Sequence, residues 1–408
     1  MTLAARGPAV AWRVARSRNF GPYFVGNAAS ASGTWFQNLA ASILIFRLTH
    51  SAFLLGVLNF CQFAPVLLLA PWAGGIADRF DRRRLLILMQ TLAACLSGVL
   101  AALAWGGLAT EWVVIGFSGC LGVTTAFSNP AQTALIGSLV PREDLPQAIA
   151  LNSMTFNLAR AIGPASAAGV IAVFGTPPAF ALNAFSYLLL VGALFVVRPK
   201  PQERARRASL RESLSLVRAD PKLAAYLAIV MTVSFASDPV NTEGPALAHA
   251  FGYSANWSGA IVGLFGVGAV CAALLVAGRV AGSRRRMAVT LGLLGTGIAA
   301  VGATPWLPLA FLFLAIAGFG YLSSNTSATA RLQLGVAENQ RGRIMALWSV
   351  AFLGIRPIAS ICDGALAGTL GVRPAAAIMA LPALLVAAAV ARSRVRSAGA
   401  APGGAGEV

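Results

Sequence analysis

Gly74-Gly75-Ile76-Ala77-Asp78-Arg79-Phe80-Asp81-Arg82-Arg83-Arg84 joins two apolar runs, 52–73 and 85–109. A helix crosses the roughly 30 Å hydrocarbon layer of a bilayer with about 20 apolar residues, so each run is long enough to span. Four arginines and two aspartates between two such runs read as the charged turn of a membrane hairpin. Working outward, the pattern repeats along the whole chain: apolar spans are expected at 20–46, 52–73, 85–109, 112–139, 147–174, 178–197, 223–243, 255–279, 287–304, 306–332, 343–369 and 373–391.

Composition agrees with the spans. Of 408 residues, 57% are hydrophobic and 11% charged, against about 25% charged in a typical soluble domain. Mean hydropathy is +0.74. Inside hydrocarbon every backbone polar group must be bonded within its own segment, which leaves helices as the structure for such runs. The expected fold class is an all-α membrane protein of twelve transmembrane helices in two pseudo-symmetric six-helix bundles.

The net charge of +18 would suggest a nucleic-acid partner in a soluble protein. Its distribution says otherwise. With the N-terminus inside, 27 of the 31 Lys and Arg residues fall in cytoplasmic segments and only Arg47 and Arg373 in the opposite connections. That is the asymmetry of membrane topology, so both termini are expected in the cytoplasm, the lipid bilayer is the partner of the basic residues, and no nucleic acid is expected.

The longest polar stretch, Arg198 to Lys222, opens with Pro199 and Pro201 and divides the spans six and six. The expected organisation is a cytoplasmic arm 1–19, a bundle 20–197, a linker 198–222 holding a short surface helix near Ser209 to Val217, a second bundle 223–391 and a tail 392–408. An internal repeat supports two halves. Ser128-Asn129 with Thr133-Ala134 and a later Gly163-Pro164 is matched by Ser324-Asn325 with Thr329-Ala330 and a later Arg356-Pro357.

Polar residues inside spans are candidates for the lining of a path. Asn27, Ser30, Thr34, Gln37 and Asn38 recur at steps of about one helical turn in the first span, and Asn129, Gln132 and Asn325 lie in the fourth and tenth. Interhelical bonding is the alternative use of such residues. Ionisable groups in a bilayer are costly and are functional candidates by default: Arg160, Asp238, Arg356 and Asp363 are candidates for coupling. Arg356 and Asp363 stand two turns apart on one face, about 10.5 Å along the axis, and that pair is expected to meet through water or a bent Arg side chain. His50 and His249 fall in the opposite connections.

The loop from Gly74 to Arg84 resembles the loop signature of the major facilitator superfamily, with Asp81 standing where the general pattern has a second Gly. Gly33-Thr34-Trp35-Phe36-Gln37-Asn38, Leu48-Thr49-His50-Ser51, Gln62-Phe63-Ala64-Pro65-Val66-Leu67, Asn157 and Arg341-Gly342-Arg343-Ile344-Met345-Ala346-Leu347 are similar to its enterobactin-exporter-like, transmembrane secretion effector branch. The resemblance runs from about residue 20 to about 395. It implies alternating access, proton-driven efflux of a siderophore, drug or related natural product, and a conformational-switch loop comprising Gly74, Asp78, Arg79, Arg82 and Arg83. Gly163-Pro164 resembles part of the fifth-span signature of drug–proton antiporters, a helix kink with small neighbours. The fourth-span arginine of many such antiporters is absent, since 112–139 contain no basic residue.

No GxxxxGK[ST], HExxH or GxSxG motif occurs, and the five cysteines show no paired spacing. No cofactor, metal or catalytic residue is expected, and the chain is expected to act as a monomer on a small-molecule substrate with proton coupling. An importer of the same fold, a non-transporting receptor and a membrane-embedded enzyme are the alternatives.

Overall fold

A computed structural model describes residues 8–200, 210–276, 284–337 and 340–398. The side chains of Pro71, Asp78, Asn157, Ala161, Ala165, 8–9, 210–213 and 393–398 lie outside that description. So do the start of the N-terminal arm, linker residues 201–209, the stretch holding Arg279 and the end of the tail.

After a short α1 (Pro8–Ala15), six long helices follow: α2 (Phe20–Thr49), α3 (Ala52–Arg79), α4 (Arg82–Trp105), α5 (Glu111–Leu139), α6 (Leu145–Phe174) and α7 (Pro177–Val196). The linker contains α8 (Leu210–Ala219), close to the expected surface helix, and its Val217 packs on the second-half core. The second half holds α9 (Pro221–Ala236), α10 (Asp238–Thr242), α11 (Gly244–Ala250), α12 (Ser258–Val276), α13 (Arg284–Ala303), α14 (Leu307–Leu334), α15 (Arg341–Leu370) and α16 (Val372–Ala398). Among the described residues eleven segments are long and apolar enough to cross a membrane. The 30-residue α2 is the twelfth span; its Asn27, Ser30, Ser32, Thr34, Gln37 and Asn38 lower its hydropathy, not its length.

Local chemistry sets the turns. Ser51, Asp81, Thr110 and Asp220 cap α3, α4, α5 and α9 by accepting a backbone N–H within the first turn, each such cap contributing about 1 kcal/mol. Asp81, the departure in the loop motif, therefore has a structural use: its carboxylate takes the Arg84 N–H at 2.8 Å. Gly175 after α6 and Gly371 after α15 both adopt positive φ, 81° and 91°, so the fifth and eleventh spans end alike. The repeat is visible in bonding too, with Thr133 donating to the Asn129 carbonyl at 2.9 Å and Thr329 to that of Asn325 at 2.7 Å.

The seventh span is expected as one helix over 223–243 and is instead broken into α9, α10 and α11 at Ser237 and Glu243. The cause is two prolines, Pro239 and Pro245, each lacking an N–H and disfavouring helix just before itself. Asn241 compensates by donating its side-chain amide to the Ser237 carbonyl at 2.7 Å.

The halves meet chiefly where α3 packs on α15 and α6 on α12. Gly56 of α3 lies against Gly364 of α15: a Cβ on Gly56 would stand 2.5 Å from the Ser360 carbonyl oxygen and 2.9 Å from the Gly364 Cα. Small residues let the backbones touch. The largest core cluster belongs wholly to the second half, and another wholly to the first. A third is shared, combining Leu39 to Leu58, Leu100 to Ile115 and Ala167 to Phe180 with Ala246, Ala367 and Ala375. All of these lie toward the face opposite the two chain ends, so apolar packing joins the halves on that face.

Candidate functional site

Between the halves lies a pocket whose lining includes Trp35, Asn38, Asn59, Phe63, Pro164, Asp238, Asn241, Thr242 and Arg356. Its lid is built from both halves. Arg47 on α2 donates to Asn256 Oδ1 at 2.6 Å. The His50 and His249 rings stand 5.9 Å apart with Phe46 against each. The chain's two histidines, 199 positions apart in sequence, thus meet across the seam. A His50→Cys/His249→Cys variant joined by a short bifunctional thiol reagent is expected to stop transport, with recovery on reduction of the bridge; unimpeded transport in the fully cross-linked protein would refute this lid.

Below the lid, the break in the seventh span gathers acids. Asp238 is 4% exposed, Glu243 and Asp363 both 0%. Asp238 is held by hydroxyls, accepting from Thr242 at 2.8 Å and Ser360 at 3.2 Å. Glu243 and Asp363 make no hydrogen bond with either oxygen, and the charges of Asp238 and Asp363 act on Glu243. A buried carboxylate left ionised without a partner costs several kcal/mol, so this cluster needs a proton or a counter-charge.

Glu243 is absent from the sequence-based candidates although it closes the expected seventh span. The signal was present: Asp238-Pro239 and Glu243-Gly244-Pro245 place helix breakers beside both acids. Arg356 and Asp363 make no direct hydrogen bond, since neither Asp363 oxygen has a partner among the described residues. The acid whose charge reaches Arg356 is Asp238, from a different helix. Seven residues along one helix keep two side chains on a face but well apart, whereas packing of a second helix brings a group alongside.

Arg356 is 8% exposed and lies over Phe63 at 4.8 Å and Phe352 at 6.0 Å. Arg160 lies over Tyr321 at 4.6 Å and Trp35 at 5.8 Å, donates one Nη to the Tyr321 hydroxyl, and leaves the other Nη buried without a partner. Gly163 makes room for this arrangement, because a Cβ there would come 2.8 Å from that of Trp35. Pro164 inside α6 lines the pocket.

The expected polar face of the first span is divided among neighbours. Gln37 is 4% exposed and accepts from Ser97 at 2.7 Å and Asn183 at 2.6 Å, tying α2 to α4 and α7. Thr34 bonds Tyr187 of α7 at 3.3 Å. Asn27 donates to Asn152 at 2.8 Å and accepts from Gln132, tying α2 to α6 and α5. Of the first-span residues expected to line a cavity, Asn38 does so, accepting from Gln62 at 2.8 Å. Adjacent helical residues point about 100° apart, so Gln37 and Asn38 serve different neighbours. Asn129 and Asn325 stand outside this pocket's lining, Asn325 with a buried Oδ1 lacking a partner.

In the loop between α3 and α4, Arg83 donates to the Leu194 and Phe195 carbonyls at 2.5 and 2.9 Å, clamping the C-terminal end of α7 where cations are favoured. A Cβ at Gly74 would meet nothing within 4 Å. That end of α3 faces open space. Arg79 and Arg82 lie at the end of α3 and the start of α4, and the Asp78 side chain lies outside the described residues.

The chain matches the family described as transmembrane secretion effector over residues 9–403. It is 30% identical over 184 residues to a staphyloferrin A transporter of Staphylococcus aureus, covering 44% of this chain and 46% of that protein. It is 28% identical over 345 residues to the enterobactin exporter EntS of Shigella boydii, covering 81% and 80%. The matched stretch thus spans about half of the first relative and four-fifths of the second. In fold it is similar to a bacterial homologue of the lysosomal transporter Spinster, with a TM-score of 0.73 at 14% identity over 96% of this chain and 98% of that one. A nucleoside transporter, NupG, is similar with a TM-score of 0.69 at 12% identity over 91% and 98%.

Proposed function

This chain belongs to the transmembrane secretion effector family of major facilitator transporters, and from that premise we propose that it exports a small molecule by proton antiport through alternating access. The molecule belongs to the siderophores, drugs or related natural products, as the names of the relatives suggest. The site is a bacterial inner membrane with both termini in the cytoplasm. The observation that carries the reading is a pocket between two halves, joined over it by apolar packing and edged by buried acids at a broken helix. Midplane sites at discontinuous helices are a recurring transporter plan.

In this mechanism the halves part at the shared apolar seam and close at the other end, carrying the pocket from one side to the other. A carboxyl whose access to water alternates takes up a proton on one side and releases it on the other. Asp238, Glu243 and Asp363 are the groups placed to do so, and Asp78 with the arginines of its loop times the motion. Asn38 and Asn241 face the substrate.

Everted membrane vesicles with an acidic lumen test the proposal. They are expected to accumulate the substrate, found by screening siderophores and antibiotics, and to lose it when the pH gradient is dissipated. Accumulation confined to right-side-out vesicles would make the protein an importer. Orientation is read separately: Lys200→Cys should label from the cytoplasm and Gly175→Cys from outside.

A further inference from the structure

Arg356 lines the pocket and is 8% exposed, yet its guanidinium makes no hydrogen bond or ion pair among the described residues. Arg160 approaches from the other half with one Nη buried and unpartnered, and its charge acts on Arg356. Two neighbouring cations repel each other, and a buried one such as Arg356 bears a desolvation cost as well. Asp238, whose oxygens also accept from Thr242 and Ser360, is the acid whose charge reaches Arg356, and one carboxylate against two guanidinium groups leaves a positive charge unbalanced. Two aromatic rings under these guanidinium groups, Trp35 and Phe63, also line the pocket.

We propose that Arg160 and Arg356 form the binding site for the anionic group of the transported molecule, a carboxylate or phenolate carried on an aromatic frame that Trp35 and Phe63 enclose. The inference rests on the reading of this pocket as the transport path. A guanidinium presents two parallel N–H donors that match a carboxylate edge. The second arginine makes the site one that a neutral molecule of the same shape does not satisfy, since the charges stay unbalanced. The Tyr321 hydroxyl, which accepts from Arg160, keeps its own proton to donate.

The test uses the full chain in lipid nanodiscs with 4-nitrobenzoate and its neutral counterpart 4-nitrobenzamide. Equilibrium dialysis is expected to show the anion bound at least ~10-fold more tightly, the scale of a charge-assisted hydrogen bond. Arg356→Gln should remove that preference, and Arg356→Lys should keep part of it, because the charge stays and the fork is lost. The Lys variant also guards against misfolding as the cause. Equal binding of the two probes, no binding of the anion up to its solubility, or an intact preference in Arg160→Gln/Arg356→Gln would each overturn the site. Equilibrium binding carries no direction, so a finding of import leaves this result unchanged. A double variant that still exports under a pH gradient would refute the anion site and leave the transport reading standing.

Discussion

Asp363→Asn is expected to abolish the response of transport to an imposed pH gradient while downhill substrate flux persists. Asp363 is fully buried on α15, neither oxygen has a hydrogen-bond partner, and the charge acting on it is that of another acid, Asp238. Nothing in its surroundings holds it as a structural ion pair, so removing its ability to ionise leaves packing nearly unchanged and removes only proton exchange. Asn is close in shape and still satisfies the space. The same experiment on Glu243→Gln distinguishes one coupling carboxyl from a shared site, since interacting acids exchange protons as a unit. Proteoliposomes with a pH jump and a matched flux assay at zero gradient provide the readout. Gradient-driven export at wild-type level in Asp363→Asn would remove it from the coupling path, and Asp238 and Glu243 would be next.

The second large effect is mechanical. Gly56→Leu is expected to lower transport about 5- to 150-fold, by biasing the equilibrium between closed and open arrangements of the halves by about 1–3 kcal/mol. A side chain at Gly56 starts 2.5 Å from the Ser360 carbonyl and 2.9 Å from the Gly364 backbone. Those are backbone atoms, which cannot swing aside as the end of a flexible side chain can. The clash therefore separates α3 from α15 and loosens the lid. Gly116→Leu is the control, because a Cβ at that exposed position meets nothing within 4 Å. Spin labels across the seam would report the shift, and an unchanged distance distribution with full transport in Gly56→Leu would show that the crossing tolerates bulk.

Twelve spans, their approximate ends, the charged loops and the relation between halves were legible in the chain alone. Each of these depends on local properties: the length of apolar runs, the caps at Ser51, Asp81, Thr110 and Asp220, and the spacing of Asn129 and Asn325 from their threonines. A hydrocarbon layer constrains backbone bonding so strongly that local composition suffices to assign helices. Even the break in the seventh span was written locally, in Pro239 and Pro245.

Which side chains share a site was decided by packing. Gln37 and Asn38 are neighbours in sequence and polar alike, yet one ties α2 to α4 and α7 while the other lines the pocket. His50 with His249, Arg160 with Tyr321 and Arg356 with Asp238 come together over separations of more than a hundred residues. Helical periodicity defines the faces of each span, but not which face a distant helix covers. That choice belongs to the close crossings at Gly56 and Gly364, where one backbone meets another, and at Gly163, which makes room for the Trp35 side chain, and these determine what lies opposite what.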